Sequence, residues 1–168
     1  MSSLQLGNQL LVEKRYAEAL RLFLAHATEV PAEAPRAFVQ AAECLRRTNT
    51  LSKPVPVEPG VTLVHQGDDA GAEAMYRRAL AIDPQYFPAL RGLAQVVPDG
   101  SDEERRVLEI AVALRLDPLL VQQLGEAYER EGRFGEAREL YSRAFQANPS
   151  DRSLSRLLER VAERMSQE

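Results

Sequence analysis

Two histidines and one cysteine are the side chains of this sequence that most readily support catalysis or metal binding. His26 lies within an apolar helical pattern, His65 has no second histidine or cysteine near it, and Cys44 lies on an amphipathic stretch. Zinc needs three or four ligands, and a catalytic site needs several polar groups that converge on one point. We therefore interpret His26 and Cys44 as packed residues. The sequence predicts a protein that is not an enzyme, with no catalytic residue, no metal ligand and no cofactor.

Arginine supplies nearly all of the positive charge, since Lys14 and Lys53 are the only lysines. A guanidinium group pairs with a carboxylate through two parallel hydrogen bonds. The formal net charge is nevertheless −4, whereas nucleic acids and anionic membranes are bound by basic surfaces. The composition therefore favours a protein or peptide partner and argues against nucleic acid.

The single cysteine and the lack of a long apolar stretch bear on the cellular compartment of the protein. One cysteine, Cys44, excludes an intramolecular disulfide. No stretch approaches the roughly 18 apolar residues that a membrane helix needs. The first sixteen residues lack the basic start and small-residue cleavage site of a signal peptide. We expect a cytoplasmic protein without a membrane span.

Proline signals recur along the chain after apolar helical patterns, at residues 30–31, 83–84, 117–118 and 148–149. The residue eight positions before each proline is large, and the residue five positions before it is usually small. The large residues are Phe23, Tyr76, Ile110 and Tyr141, and the second set is His26, Ala79, Ala113 and Ala144. Such self-similarity at a fixed period is typical of repeat proteins.

The clearest unit covers residues 118–151. Its pattern is L-G-x-x-Y, then a glycine turn, then A-x-x-x-Y-x-x-A and a proline, formed by Leu124, Gly125, Tyr128, Gly132, Ala137, Tyr141, Ala144 and Pro149. This unit resembles the tetratricopeptide repeat family. The interval between Pro84 and Pro118 is 34 residues, which is the period of that family.

The resemblance implies an all-α fold, an α-solenoid of about four helix pairs in a single domain over 1–168. The repeats are expected at about 1–34, 35–84, 85–117 and 118–151, with a capping helix at 151–166. Small residues at matched points of the first helices should let the partner helix approach closely. These residues are Gly7, Ala42, Ala94 and Gly125.

Two segments do not fit the repeat pattern. The proline-rich insertion at 49–68 is either an arm that binds a partner, a tolerated excursion, or a segment that folds back into the groove. The capping helix carries an apolar stripe, which either closes the end of the array or contacts a second copy or a partner. The stripe consists of Leu154, Leu157, Leu158, Val161, Ala162 and Met165.

In tetratricopeptide folds the first helices line an inner groove that holds the partner. Transferred by position, the groove residues are Asn8, Arg36, Val39, Glu43, Arg46, Arg47, Arg91, Gln95, Gln122, Glu126, Glu129 and Arg130. The arginines in the middle repeats suggest an acidic partner segment. Three functions agree with this pattern: an adaptor or assembly factor, a dedicated chaperone for a subunit of a bacterial secretion system, and a regulatory domain of a larger enzyme.

Overall fold

The computed structural model describes residues 2–48 and 68–166. Over this part of the chain there are nine α-helices and one short 3-10 turn, and no strand, which confirms the all-α prediction. The expectations for the insertion, and for His65 within it, concern residues outside the described part of the chain. The helices are α1 (Ser3–Val12), α2 (Tyr16–Glu29), α3 (Ala34–Thr48), α4 (Asp69–Ile82), α5 (Phe87–Leu93), α6 (Asp102–Leu114), α7 (Pro118–Arg130), α8 (Phe134–Ala147) and α9 (Arg152–Met165).

The chain divides into two compact units, Met1–Val96 and Val97–Glu168. The first unit contains α1 to α5 and the second contains α6 to α9. The boundary lies within the predicted third repeat, 85–117. The other predicted repeats each keep their two helices within one unit, and the single-domain organisation stays a prediction.

Aspartate side chains begin three of the helices. Asp68 accepts a hydrogen bond from the backbone N–H of Gly71, and Asp151 accepts one from Ser153. Asp117 accepts from the first turn of α7, where Pro118 is the first helical residue. These bonds satisfy N–H groups that have no partner inside the helix. Pro118 thus follows helix α6 along the chain and is also the first residue of helix α7.

Glycines on the first helices face aromatic rings, as the repeat pattern predicted for Gly7 and Gly125. A Cβ atom at Gly7 would lie 2.6 Å from Cε1 of Phe23, and one at Gly125 would overlap the ring of Tyr141. Ala94, the small residue predicted for the third repeat, is buried at the C-cap of α5. Gly92, two residues earlier, meets the ring of Tyr76 on the preceding helix α4.

The predicted register of α6 was also wrong, by two residues. Ile110 is 48% exposed and Ala113 is exposed, whereas Leu108 and Ala111 are fully buried. The buried positions therefore lie two residues earlier than the pattern before Pro118 predicted.

The position of the C-cap explains this shift. Helix α6 ends at Leu114 with Arg115 as its extended C-cap, three residues before Pro118. In the other repeats the C-cap residue directly precedes the proline; these caps are Val30, Asp83 and Asn148. Two additional residues therefore separate the C-cap of α6 from the proline that follows it, and counting back from Pro118 misplaced the core.

The capping helix α9 buries part of its apolar stripe. Leu154, Leu157 and Val161 are buried, and α9 packs against α8. Met165 at the end of the stripe is 39% exposed. The covered half of the stripe contributes to the core of the second unit, and a contact with a second copy stays a prediction.

His26 and Cys44 are packed, as predicted. His26 is buried, and its Nε2 lies 2.9 Å from Oε2 of Glu33. Cys44 is fully buried, and this burial raises the pKa of its thiol to about 12. The thiolate, which is the reactive form of cysteine, is therefore disfavoured.

Candidate partner-binding site

Arg46 is the centre of a polar cluster in the first unit. Its Nη1 donates a hydrogen bond of 2.9 Å to Oε1 of Gln95 and lies 3.9 Å from the carboxylate of Glu43. Arg46 also hydrogen-bonds the hydroxyl of Tyr76. Burial raises the pKa of Tyr76, and the guanidinium group of Arg46 opposes that rise. The structure thus brings together three of the predicted groove residues, Glu43, Arg46 and Gln95, from α3 and the segment after α5.

Arg36, Arg46, Arg47 and Arg91 together are called the arginine surface below. Arg47 forms an ion pair of 2.5 Å with Glu43. Arg36 and Arg91 are exposed, and neither has an ion pair with any residue that the structure describes. These two guanidinium groups are therefore open to an external carboxylate, whereas Arg46 and Arg47 are partly engaged by Glu43.

The other two predicted residues of the first unit are less open. Asn8 on α1 and Val39 on α3 are both half-buried. The side chain of Asn8 has no hydrogen bond with a described residue. A half-buried amide of this kind can contact a partner without losing an internal bond.

In the second unit a cleft of about 460 Å³ lies along α7. Three predicted groove residues line it: Glu126, Glu129 and Arg130. The fourth, Gln122, is exposed and donates a hydrogen bond of 3.0 Å to Oε1 of Glu126. The name α7 cleft is used below for this site, whose other lining residues are Asp99, Glu104, Gln123, Arg160 and Arg164.

Glu129 is held inside the second unit. Its side chain is 9% exposed, and Oε1 accepts hydrogen bonds from the hydroxyl of Tyr141 (3.0 Å) and from Nη2 of Arg160 (2.7 Å). Burial, together with this carboxylate, raises the pKa of Tyr141, and the same carboxylate raises the pKa of Arg160. Glu129 therefore connects α7 with α8 and α9, and its carboxylate is largely used within the protein.

Glu104 lines the α7 cleft and was not among the predicted groove residues. Its backbone N–H donates to the side chain of Ser101, which caps α6. The carboxylate of Glu104, however, accepts from the N–H of Gly100 (2.6 Å) and from Arg130 (3.2 Å). Glu104 is 4% exposed, so this buried charge is compensated by a backbone donor and an arginine.

The remaining lining residues were missed for different reasons. Arg160 and Arg164 are on α9, outside the first helices from which the groove residues were taken. Gln123 lies beside the predicted Gln122, and the helical period alone does not separate two such neighbours at the edge of a face. Asp99 precedes α6 in a turn and has no periodic signal.

Among the described residues, no group of three or more His, Cys, Asp or Glu side chains is arranged to hold a metal ion. In the same part of the chain, no helix combines the length and the apolar character that crossing a membrane requires. The polar groups of both units are arranged as ion pairs and hydrogen-bonded clusters along helices.

Comparison with known proteins gives one family match and several similar structures. Residues 118–161, which contain α7, α8 and most of α9, match the tetratricopeptide repeat family. No curated protein sequence matches the chain.

Several of the similar solved structures are forms of MamA. The fragment of MamA from residue 41 to its end, from Desulfovibrio magneticus RS-1, is 19% identical, with a TM-score of 0.67 over 96% of this chain and 82% of that one. An RS-1 MamA double mutant is 20% identical, with a TM-score of 0.68 over 96% and 82%. Another crystal structure of MamA is 13% identical, with a TM-score of 0.68 over 95% and 84%. At these identities the likeness concerns the fold.

Proposed function

We propose that this chain, whose residues 118–161 match the tetratricopeptide repeat family and whose fold is an all-α solenoid, is a non-catalytic module that binds a protein or peptide segment along its first helices. Its role is that of an adaptor or assembly factor in the cytoplasm. The family match and the composition of the first helices support this function. Fold alone does not determine function, so the proposal depends on the surfaces described above.

The observation that carries the proposal is the presence of Arg36 and Arg91 as exposed guanidinium groups on first helices, with no ion pair to a described residue. A guanidinium group that is not neutralised internally offers up to five donors to a carboxylate. Arg46, fixed by Gln95 and Tyr76, supplies a third donor group with restricted motion. We therefore infer that the partner segment is acidic.

The face of α7 provides a binding surface within the second unit. The side chains of Glu126 and Arg130 are 43% and 48% exposed. They present a carboxylate and a guanidinium group on the same helix face, four residues apart. A mixed surface of this kind fixes the register of a partner more than it adds affinity.

Capture from the native lysate with the whole chain as bait, followed by mass spectrometry, would identify the partner. Titration calorimetry with that partner then compares the wild type with Arg36→Glu, Arg91→Glu and the double variant. Reversal of both charges should weaken binding by about tenfold or more, because two favourable charge pairs become repulsive. Added salt should weaken the wild-type complex.

Arg138→Glu is the matched control. Arg138 is exposed on α8, a second helix, and has no ion pair with a described residue. Arg138→Glu changes the net charge by the same amount as Arg91→Glu, but at a position away from the first helices. Equal weakening by Arg138→Glu and Arg91→Glu, or no weakening by the double variant, would contradict the proposed site.

The identity of the captured protein separates the related functions. An unstable exported subunit as the main partner would indicate a dedicated chaperone, and a stable component of a larger assembly would indicate an adaptor. A catalytic region encoded in the same reading frame would indicate a regulatory domain.

A further inference from the structure

Helix α7 has two faces that differ in chemistry. With about 100° of rotation per residue, Gln123, Glu126 and Arg130 point to one side, where they line the α7 cleft. Leu124 and Tyr128 point to roughly the opposite side. There they line a second depression, formed by α6, α7 and α8, with a volume of about 260 Å³. This depression is called the α6–α8 slot.

The floor of the slot is apolar. It is formed by Val112, Leu124 and Leu140, each largely buried, and by the exposed Ala113. The volume is below the roughly 300–1,000 Å³ of typical small-molecule sites. It matches a single large side chain better than a cofactor or a metabolite.

The two-residue shift of α6 makes this surface available. Had the register followed the repeat pattern, Ile110 and Ala113 would be packed in the core. Instead both are exposed, and Ile110 retains 48% of its accessible surface. The shift therefore places a small residue, Ala113, in the lining of the slot, which leaves room for a side chain from outside.

The rim of the slot is predominantly acidic. Glu109, Glu136 and Glu139 line it together with a single arginine, Arg143. Glu109 accepts hydrogen bonds from Tyr128 (3.1 Å) and from Arg105 (3.2 Å).

Of the three carboxylates on the rim, that of Glu139 is open to a partner. Glu136 is paired with Arg133, whose guanidinium group lies 4.4 Å above the ring of Tyr128. Glu139 is exposed and has no ion pair with any residue in the described part of the chain. Glu139 therefore keeps its full capacity to accept a cationic partner.

We propose that the α6–α8 slot is a second docking site, which takes one large aliphatic side chain of a partner protein next to a lysine or arginine that pairs with Glu139. The apolar floor selects the aliphatic group, and the carboxylates of the rim select the basic neighbour. This site is on the face of α7 opposite the α7 cleft and does not depend on the arginine surface. It has the opposite charge preference to the arginine surface, so one protein would join an acidic segment and a basic, aliphatic one.

The experiment uses the whole chain labelled with ¹⁵N and three blocked dipeptides, acetyl-Leu-Lys-amide, acetyl-Leu-Glu-amide and acetyl-Ala-Lys-amide, titrated at millimolar concentration. Acetyl-Leu-Lys-amide should shift the amide signals of Ala113 and Leu140 and bind about threefold more tightly than acetyl-Leu-Glu-amide, which is the effect of one exposed ion pair. Acetyl-Ala-Lys-amide should bind several-fold more weakly, because it leaves the floor uncovered.

Two pairs of variants separate the contributions of charge and shape. Glu139→Gln should remove the preference for lysine over glutamate, and Arg143→Gln, on the same helix, should preserve or increase it. Ala113→Gln should fill the slot and abolish the shifts, whereas Ala147→Gln, exposed at the end of α8, should leave them unchanged. The site would be refuted by shifts outside the slot, by equal affinity for the leucine and alanine peptides, or by a lysine preference that survives Glu139→Gln. Arg36→Glu and Arg91→Glu should not alter this binding, so failure here is distinct from failure of the proposed function.

Discussion

The aromatic ring of Tyr141 occupies the space that a side chain at Gly125 would need. The two residues are on successive helices, α7 and α8, of the segment 118–161 that matches the tetratricopeptide repeat family. Tyr141 is fully buried, and its hydroxyl donates to Glu129, one turn beyond Gly125 on α7. The ring cannot withdraw from Gly125 without giving up this bond, so the pair fixes the distance between the helices.

Gly125→Ala should lower the free energy of unfolding by about 1–3 kcal/mol, the typical cost of overpacking a close contact. Urea unfolding followed by circular dichroism measures this change. Gly135→Ala is the control, since a Cβ atom at Gly135 meets nothing within 4 Å and alanine favours a helix by roughly 0.5–1 kcal/mol over glycine. A loss of stability at Gly135 equal to that at Gly125 would contradict the role of the ring contact.

The shifted register of α6 predicts opposite outcomes for two neighbouring residues. Leu108 is fully buried. Leu108→Ala should lower the free energy of unfolding by about 2–5 kcal/mol, because it leaves a cavity in the core. Ile110→Ala, at a position that is 48% exposed, should change stability by about 0.5 kcal/mol or less. The same unfolding measurement decides between the registers, because the register counted from Pro118 would reverse the two effects.

Lys14 has a φ of 61°, in the left-handed region, at the turn between α1 and α2. The equivalent turn between α7 and α8 has Gly132, with a φ of 73°. Glycine reaches this conformation without steric cost, so Lys14→Gly should raise the free energy of unfolding by about 0.5–1 kcal/mol. Lys14→Ala keeps a Cβ atom and should show no such gain. Equal gains in the two variants would point to the loss of the lysine charge instead.

Burial raises the pKa of the Cys44 thiol from 9.0 to about 12. Below pH 9 the thiol is protonated in both the folded and the unfolded chain, and its contribution to stability is constant. Between about pH 9 and pH 12 the unfolded chain loses the proton first, so the free energy of unfolding falls as pH rises.

Cys44→Ala isolates this effect from the titration of four tyrosines whose pKa values are also raised, Tyr76, Tyr86, Tyr128 and Tyr141. The stability difference between the wild type and Cys44→Ala should become smaller as pH increases from 9. Parallel pH profiles for the two proteins would show that the thiol does not titrate as its burial requires.

The sequence by itself determined the local structure. Proline, glycine and aspartate signals, together with apolar spacing, predicted the capping helix at 151–166, within one residue at each end of α9 (Arg152–Met165). These features depend on interactions within a few residues, such as caps and steric restrictions on the backbone. For the same reason the sequence predicted the contact faces of Gly7 and Gly125 within the two most regular repeats.

Only the tertiary structure decided which residues are buried at the irregular third repeat and how the charges are paired. Two additional residues before Pro118 move the core from Ile110 to Leu108, and no local signal reveals the shift, because both residues are large and apolar. The pairing of Glu129 with Arg160 joins residues 31 positions apart. Such a contact depends on how whole helices pack, and helix packing is set by the sum of many side-chain contacts that no single spacing in the sequence encodes.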